Sequence, residues 1–162
     1  MDTVSSFISK PKGILKLLYK LPVYLYKWHV GWILGRRFLM ITHIGRKSGK
    51  KHQTVLEVIH YDPSTQEFIV ISGYGEKSDW YKNIVKTPVV EVQVKGTRFV
   101  PKQRILSPEE TFTLFDTYRK EHPLAFKAII SGMGYPYNGT SESLLTICKF
   151  IRGISFTLQK SI

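Results

Sequence analysis

The stretch FLMITHIGRKSGKKHQTVLEVIHY, residues 38–61, joins two runs of β-branched and aromatic residues through a short turn. Runs of this composition bounded by turn residues are typical of β-strands. The turn, residues 45–51, holds two glycines, four cations and a serine. The stretch therefore predicts a β-hairpin with a cationic tip, which is called the basic turn below.

Strand-like and helical patterns continue along the chain on the C-terminal side of this hairpin. The expected strands cover residues 38–42, 54–61, 68–72, 89–95, 97–106 and 154–158. Helices are expected at residues 80–86, from Ser107 to about residue 121, from Pro123 into a glycine-rich segment at 132–139, and at residues 141–150. Alternation at residues 89–95 predicts one wet face that includes Gln93, and Pro101 implies an edge strand or a bulge.

These elements predict an α+β fold with about six mostly antiparallel strands, an N-terminal helix and peripheral helices, whose sheet closes into a barrel. The 162 residues, 43% of them hydrophobic, suit one folding unit. Within it, we expect residues 1–34 to form a basic amphipathic helical segment and residues 35–162 to form the barrel.

The formal charge of +12 is concentrated near the N-terminus, where residues 1–52 carry eleven lysines and arginines against one acidic residue. Such a field attracts an anionic partner, and composition leaves open a phosphorylated cofactor, a membrane surface and nucleic acid. Residues 12–34 are apolar and aromatic, but lysines and Pro22 interrupt them, so no spanning helix or signal peptide is expected. Two alternatives stay open: this segment packs on the barrel, or it lies on an anionic membrane.

Cysteine and histidine usage adds two expectations. Cys148 is the only cysteine, which excludes an intrachain disulfide and fits a cytoplasmic protein, peripheral on the inner face of the membrane if residues 12–34 bind lipid. His43, His52 and His60 have no Cys or carboxylate partner at ligand spacing. They are interpreted as ordinary strand residues, and no metal site is expected.

The basic turn carries groups that bind phosphate. Its glycines let backbone amides converge on an anion, its serine can donate a hydrogen bond, and Arg46 can grip phosphate through two parallel bonds. The turn lacks the Walker pattern and opens onto a strand, which excludes a nucleoside-triphosphatase loop. A basic hairpin without a ligand is the alternative, and spacing alone does not separate the two.

Two motifs in a fixed order resemble the deazaflavin-dependent nitroreductase family. The first is GRKSG at residues 45–49, after an apolar strand. The second is SGYGEKSDWYKNI at residues 72–84, followed by TPVVEVQV at residues 87–94 and by Gly96. A basic, aromatic lead-in at residues 32–38 is similar as well, so the resemblance covers about residues 34–110.

The resemblance implies a split β-barrel enzyme that uses coenzyme F-420, a deazaflavin with an anionic phosphate and oligoglutamate tail. It implies contacts with the phosphate and the tail at the basic turn and just after it, at Arg46, Lys47, Ser48, Gly49, Lys50, Lys51 and His52. It implies contacts with the ring system at the second motif, at Gly73, Tyr74 and Gly75, supported by Trp80, Tyr81 and Asn83.

The chain departs from the usual family pattern after the basic turn. Many relatives have an arginine at the place of His52 and a proline at the place of Val55. The first change weakens the expected grip on the coenzyme tail, and the second alters the entry into a strand. FMN therefore stays an alternative cofactor, because related split barrels accept it.

The expected reaction is hydride transfer from the reduced deazaflavin to a small organic acceptor such as a nitroaromatic, a quinone or an enone. Tyr135 and Tyr137 are candidates for the acceptor pocket and for proton delivery, with water as the other proton source and a packed aromatic turn as the other interpretation. A non-catalytic protein that binds a deazaflavin, FMN or an apolar ligand on the same barrel is the competing function. No nucleic-acid partner is expected, because the aromatics lie in the opening segment and in apolar strands. The expected assembly is a monomer or a homodimer.

Overall fold

The computed structural model describes residues 35–159, which form seven strands and four α-helices. The elements in chain order are β1 (Phe38–Ile44), β2 (Lys51–Asp62), β3 (Glu67–Ser72), a 3-10 turn (Gly75–Lys77), α1 (Asp79–Lys86), β4 (Glu91–Val94), β5 (Thr97–Phe99), β6 (Pro101–Ile105), α2 (Pro108–Glu121), α3 (Pro123–Met133), α4 (Ser141–Cys148) and β7 (Arg152–Leu158). The helical segment predicted for residues 1–34, and its boundary with the barrel, lie outside the described residues.

The seven described strands form one antiparallel sheet in the order β5-β4-β1-β2-β3-β7-β6. The sheet curls strongly, so that the ring centroid of Phe99 on the edge strand β5 lies 6.2 Å from that of Phe68 on β3, four places away in the sheet. On the edge strand β6, the side chain of Gln103 accepts from the amide of Val89 at 3.0 Å and donates to the carbonyl of Ile84 at 3.1 Å. These contacts join β6, at one end of the sheet, to α1 and to the segment that leads into β4 near the other end. The predicted α+β split β-barrel is confirmed.

Two hydrophobic cores lie on opposite faces of the sheet. The barrel interior contains residues of β1, β2, β3, β4 and β7 together with Tyr81 and Ile84 of α1. The second core forms where α2, α3 and α4 cover the outer face of β2, β3 and β7. Alternation on β3 separates the two, because Phe68 and Val70 belong to the interior and Ile69 packs under the helices.

The strands differ from the sequence-based prediction at two places. The strand expected at residues 97–106 divides at Val100, which gives β5, β6 and a seventh strand. Pro101 begins the edge strand β6, as its missing amide hydrogen requires. The wet face predicted for residues 89–95 is wrong at Gln93, which is only 7% exposed. Alternation decides which face a side chain occupies, but tertiary packing decides whether that face meets water.

The helices begin where capping residues predict. Ser107 and Glu110 form the expected capping box of α2, with reciprocal hydrogen bonds of 3.1 and 2.8 Å. α3 starts at Pro123 and ends at a left-handed residue, Gly134. α4 is shorter than predicted and ends at Cys148. Within residues 35–159, no helix combines the length and the hydropathy needed to cross a bilayer.

Candidate functional site

The basic turn is a compact loop closed by two backbone hydrogen bonds. The amide of Gly49 donates to the carbonyl of Gly45 at 2.8 Å, and the amide of Gly45 donates to the carbonyl of Lys50 at 2.8 Å. Gly49 has a φ of +66°, a left-handed conformation that favours glycine. A Cβ at Gly45 would lie 2.5 Å from Ser48 Oγ and 2.7 Å from His52 Nε2. A side chain at Gly45 would therefore displace Ser48 and His52 from their present positions.

Arg46 anchors the basic turn to α1. Its backbone amide and its Nη1 donate to Asn83 Oδ1 at 3.1 and 3.0 Å, and its Nη2 donates to Asp79 Oδ1 at 3.1 Å. Lys86, at the end of the same helix, donates to the carbonyl of Arg46 at 3.1 Å. The guanidinium that was predicted to grip phosphate is thus directed at α1, where it holds the turn in place.

A buried histidine extends these contacts into the barrel. Asn83 Nδ2 donates to His43 Nδ1 at 3.1 Å, and His43 Nε2 lies 3.0 Å from Thr54 Oγ1. Because Arg46 occupies the Asn83 oxygen, the amide nitrogen faces His43, and the ring must carry its hydrogen on Nε2. Burial, followed by repulsion from His52, lowers the pKa of His43 to about 4. The ring is therefore a neutral, fixed part of the support under the turn.

The outer side of the basic turn presents donors to solvent. Lys47, Lys50 and Lys51 are exposed, and so is Ser48. Among residues 35–159, no partner occupies the backbone amides of Lys47 and Ser48. Three ammonium groups, two amides and a hydroxyl on a fixed turn make a donor set suited to a phosphate or another polyanion.

His52 lies at the base of the basic turn, on the first residues of β2. Its ring stacks on that of His43 with centroids 5.9 Å apart, and its Nε2 lies 3.5 Å from Ser48 Oγ. The side chain is exposed. The structure therefore brings His52 together with the predicted phosphate-binding residues.

The second motif forms a tight loop between β3 and α1, residues 73–75, which we call the glycine loop. Gly75 has a φ of +51°, and a Cβ there would lie 2.0 Å from the carbonyl oxygen of Phe150. A Cβ at Gly73 would lie 2.1 Å from Met133 Sδ. Ser72 Oγ donates to the carbonyl of Gly75 at 2.9 Å. The loop is thus pressed against the connection between α4 and β7, and only glycine fits at Gly75.

Two tyrosines connect the glycine loop to the last turn of α3 and to the segment that follows it. The hydroxyl of Tyr135 donates to the carbonyl of Gly73 at 2.9 Å, and the hydroxyl of Tyr74 lies 3.5 Å from the carbonyl of Gly132. Tyr135 is 6% exposed, and burial raises its pKa to about 12. The Tyr135 hydroxyl, predicted for the acceptor pocket, is therefore bonded to the loop and turned away from solvent.

Tyr137, the second tyrosine predicted for the acceptor pocket, is half-buried. Its ring meets that of Phe126 edge-on, with centroids 5.3 Å apart. This contact corresponds to the packed aromatic turn that the sequence left open as the alternative.

The residues predicted to support the ring site lie on α1, between the glycine loop and the basic turn. Tyr81 and Asn83 are buried, and Trp80 is half-buried. Trp80 packs against the barrel interior and meets Tyr81 edge-on, with centroids 6.3 Å apart. One short helix therefore links both predicted parts of the site.

A strip of β2 between the two loops is open on one side. β2 begins at Lys51, but β3 pairs with it only from Val58 onward. Residues 51–57 therefore pair with β1 and, among the strands described, with no strand on the other side. At about 3.3 Å per residue the strip is roughly 20 Å long. β3 runs antiparallel to β2, and its residue Val70 pairs with Val58, the first residue beyond the strip. The end of β3 and then the glycine loop therefore lie beside the strip.

A carboxylate stands at the far end of this open strip. Glu57 accepts a hydrogen bond from the hydroxyl of Tyr118 at 2.5 Å and lies 3.4 Å from Arg37 Nε. Burial, and then the bond to Glu57, raise the pKa of Tyr118. This cluster closes the strip with fixed, polar side chains.

His43 and Glu57 are site residues that the sequence analysis missed. His43 falls on the same face of β1 as Leu39 and Ile41, which fill the barrel. A polar residue on a buried face must find a hydrogen-bond partner, so the alternation of β1 could have indicated a role for His43. Glu57 offered no such signal, because Tyr118 lies 61 residues away.

A family model described as F420H(2)-dependent quinone reductase matches residues 26–132, a span that includes the basic turn, the glycine loop and α1. The chain belongs to this family. It is therefore an oxidoreductase that uses coenzyme F-420, and the predicted relation to deazaflavin-dependent reductases is confirmed.

Three solved structures that are similar to this chain are distant from it in sequence. One described as an F420-H2 Dependent Reductase (FDR-A) is 19% identical over 75% of this chain and 95% of that one, with a TM-score of 0.49. One described as a domain-swapped dimer is 18% identical over 83% and 98%, with a TM-score of 0.50. A conserved hypothetical protein from Mycobacterium tuberculosis is 14% identical over 83% and 81%, with a TM-score of 0.50. The last two likenesses support the fold alone.

Proposed function

We propose that this F-420-dependent reductase transfers a hydride to a small electron-poor acceptor, with a quinone as the first candidate and nitroaromatics and enones beside it. The observation that carries the proposal is the basic turn. Its cations and its serine face solvent, and hydrogen bonds from Arg46 to Asn83 hold the turn to α1. The description of the family as quinone reductases supports the choice of a quinone.

The basic turn would hold the phosphate and the acidic tail of the coenzyme. Lys47, Lys50 and Lys51 supply charge, and Ser48 supplies a hydroxyl and a backbone amide. Lysine contacts adapt to the anion because the side chain is long, whereas amides in a fixed turn define its position. Arg46 is a positioning residue in this proposal, because its guanidinium contacts α1.

The open strip of β2 and the glycine loop would hold the ring system. Gly73 has no side chain of its own, so a planar ring would meet its backbone on the side that Met133 does not fill. Trp80, Tyr81 and Asn83 would support the loop from α1. The reduced deazaflavin supplies the hydride, and the chain orients the ring and the acceptor and excludes water.

Reduction of a quinone or an enone also requires a proton, and we assign its source to water. The hydroxyl of Tyr135 is bonded to the glycine loop, and its raised pKa makes it a poor acid near neutral pH. Tyr135 is therefore a positioning residue for the loop in this proposal. Tyr137 is kept as a candidate for the wall of the acceptor pocket.

Fluorescence titration with F-420 and with FMN tests the cofactor part of the proposal. We expect tight binding of F-420 and weaker binding of FMN, which lacks the acidic tail. Lys47→Gln is expected to weaken F-420 binding by about 3- to 10-fold, the effect of one charged contact of about 1 kcal/mol. Lys127→Gln, an exposed lysine on α3, is the matched control and should bind normally. Unchanged affinity in Lys47→Gln would contradict the phosphate site.

Turnover tests the reaction. The oxidation of reduced F-420 is measured by absorbance with a benzoquinone, a nitroaromatic and an enone as acceptors. We expect oxidation of the coenzyme, fastest with the quinone. Binding of F-420 without oxidation by any acceptor would instead support the non-catalytic carrier.

A further inference from the structure

The outer face of β1 and β4 is buried although the described elements do not cover it. Met40 and Thr42 on β1 alternate with residues that fill the barrel, and so does Gln93 on β4. Met40 pairs with Gln93, and Thr42 pairs with Glu91, so these side chains lie side by side. We propose that residues 12–34 of the same chain dock on this face. The inference does not depend on the reductase activity.

Burial is the first observation behind this docking site. Met40, Thr42 and Gln93 are 4%, 8% and 7% exposed. Within residues 35–159, α2, α3 and α4 lie over β2, β3 and β7, and α1 reaches β1 from the barrel interior through Asn83 and His43. Met40 belongs to neither of the two cores. A further part of the molecule must therefore shield this face.

An unpaired acceptor is the second observation. Among the side chains of the described residues, Gln93 Oε1 is buried and has no hydrogen-bond partner. An unpaired acceptor of this kind costs about 1 to 3 kcal/mol, so the group that covers it is expected to bring a donor. Residues 12–34 contain suitable donors, including the indole groups of Trp28 and Trp32.

Chain continuity identifies the occupant. Residue 34 precedes Phe38, the first residue of β1, by four positions, so the segment enters the fold beside this face. In helical form its 23 residues would extend roughly 35 Å, compared with roughly 20 Å for the length of β1. The segment also carries apolar and aromatic side chains to bury. Lipid tails are a poor match for a face that includes Thr42, Gln93 and Glu91, because acyl chains offer no hydrogen bonds.

Cleavage after folding tests the docking in the full chain. A site-specific protease sequence is inserted at Gly35, so that the chain folds before it is cut. We expect the fragment of residues 1–34 to stay with the remaining chain through gel filtration. Met40→Glu is expected to release the fragment, whereas Val85→Glu, at a 59% exposed position on α1, should retain it. Immediate loss of the fragment from the otherwise unchanged protein would overturn the proposal.

Cysteine cross-linking gives a second test that does not need the fragment to bind after cleavage. Gln93→Cys is combined with single cysteines placed in turn at positions 14 to 32. Cys148 should not interfere, because it is fully buried and burial raises its pKa to about 12. We expect intrachain disulfides at some positions, which requires Cα atoms about 4.4 to 6.8 Å apart. Val85→Cys with the same partners should give none.

The other occupants give distinct results in this scan. Disulfides that form only between two molecules would assign the face to a second copy of the chain. Disulfides that disappear when vesicles of anionic phospholipid are added, together with co-sedimentation of the protein, would assign the segment to the membrane. Either result, or no disulfide at any position, overturns docking of residues 12–34 on β1 and β4.

Discussion

Asn83→Asp tests whether the amide of Asn83, rather than its size, supports the basic turn. The substitution keeps an oxygen toward Arg46 but replaces the donor that faces His43 Nδ1 with a second oxygen. His43 then avoids two facing acceptors either by carrying its hydrogen on Nδ1, with the Thr54 hydroxyl donating to Nε2, or by binding a proton. The new carboxylate beside the ring favours the protonated form. The variant should therefore raise the pKa of His43 from its low value in the wild type.

The direction of the pKa shift decides how stability depends on pH. In the wild type the pKa of His43 is 6.5 unfolded and about 4 folded, so the unfolded state takes up the proton first as the pH falls. Stability is therefore lost between about pH 6.5 and pH 4, with about 2 kcal/mol lost at pH 5 relative to pH 8. In Asn83→Asp the folded pKa rises toward or above the unfolded one. The loss of stability at low pH then shrinks. Where the folded pKa lies above the unfolded one, protonation of His43 instead stabilises the fold at low pH, and that stabilisation is lost as the pH rises.

Urea unfolding at pH 5 and pH 8 measures this contrast. We expect Asn83→Asp to be destabilised relative to the wild type at pH 8, and the deficit to be smaller at pH 5. The deficit shrinks by about 2 kcal/mol where the folded pKa of His43 returns to 6.5, by less where it stays below and by more where it rises above. His43→Asn keeps an acceptor near the position of Nδ1 but cannot titrate, so in that background the contrast should disappear. An equal deficit at both pH values in Asn83→Asp would refute the reasoning.

Three further predictions concern the glycine loop and the free thiol. Gly75→Ala is expected to destabilise the protein by more than about 3 kcal/mol, because its Cβ would overlap a backbone oxygen at 2.0 Å and its φ is +51°; a thermal midpoint close to that of the wild type would contradict this. Tyr135→Phe is expected to cost about 1 to 2 kcal/mol in urea unfolding and to weaken F-420 binding. A large loss of turnover with unchanged coenzyme affinity would instead assign its hydroxyl to the acceptor. The thiol of Cys148 is expected to resist a thiol reagent until denaturant is added, because burial raises its pKa to about 12; stoichiometric labelling of the native protein would disagree with its burial.

Much of the fold could be predicted because its signals are local. The β1–β2 hairpin follows from two β-branched runs around a glycine-containing turn, and α2 follows from the capping residues Ser107 and Glu110. The division of one long strand at Val100 could not be predicted from Pro101 alone, since a proline fits an edge strand, a bulge or a break. The burial of Gln93 depends on what covers the sheet, which alternation does not contain.

The candidate site was predictable in its residue types but not in its internal contacts. Cations and glycines within residues 45–51 indicated an anion-binding turn, because such groups act from the turn itself. The bond from Arg46 to Asn83 joins residues 37 positions apart, and the bond from Asn83 to His43 joins residues 40 apart. Contacts of this range depend on the curl of the sheet, so the sequence did not indicate that the guanidinium of Arg46 bonds to α1.

Hydrogen bonds hold the eight residues of α1 from two directions. Arg46 grips the helix at Asn83, and the carbonyl of the next residue, Ile84, receives the side chain of Gln103 that seals the barrel. Sealing the barrel and shaping the anion-binding loop are therefore expected to be a single cooperative event in folding. A coenzyme that binds only the closed barrel would stabilise it by about 2.7 kcal/mol at a free concentration one hundred times its Kd.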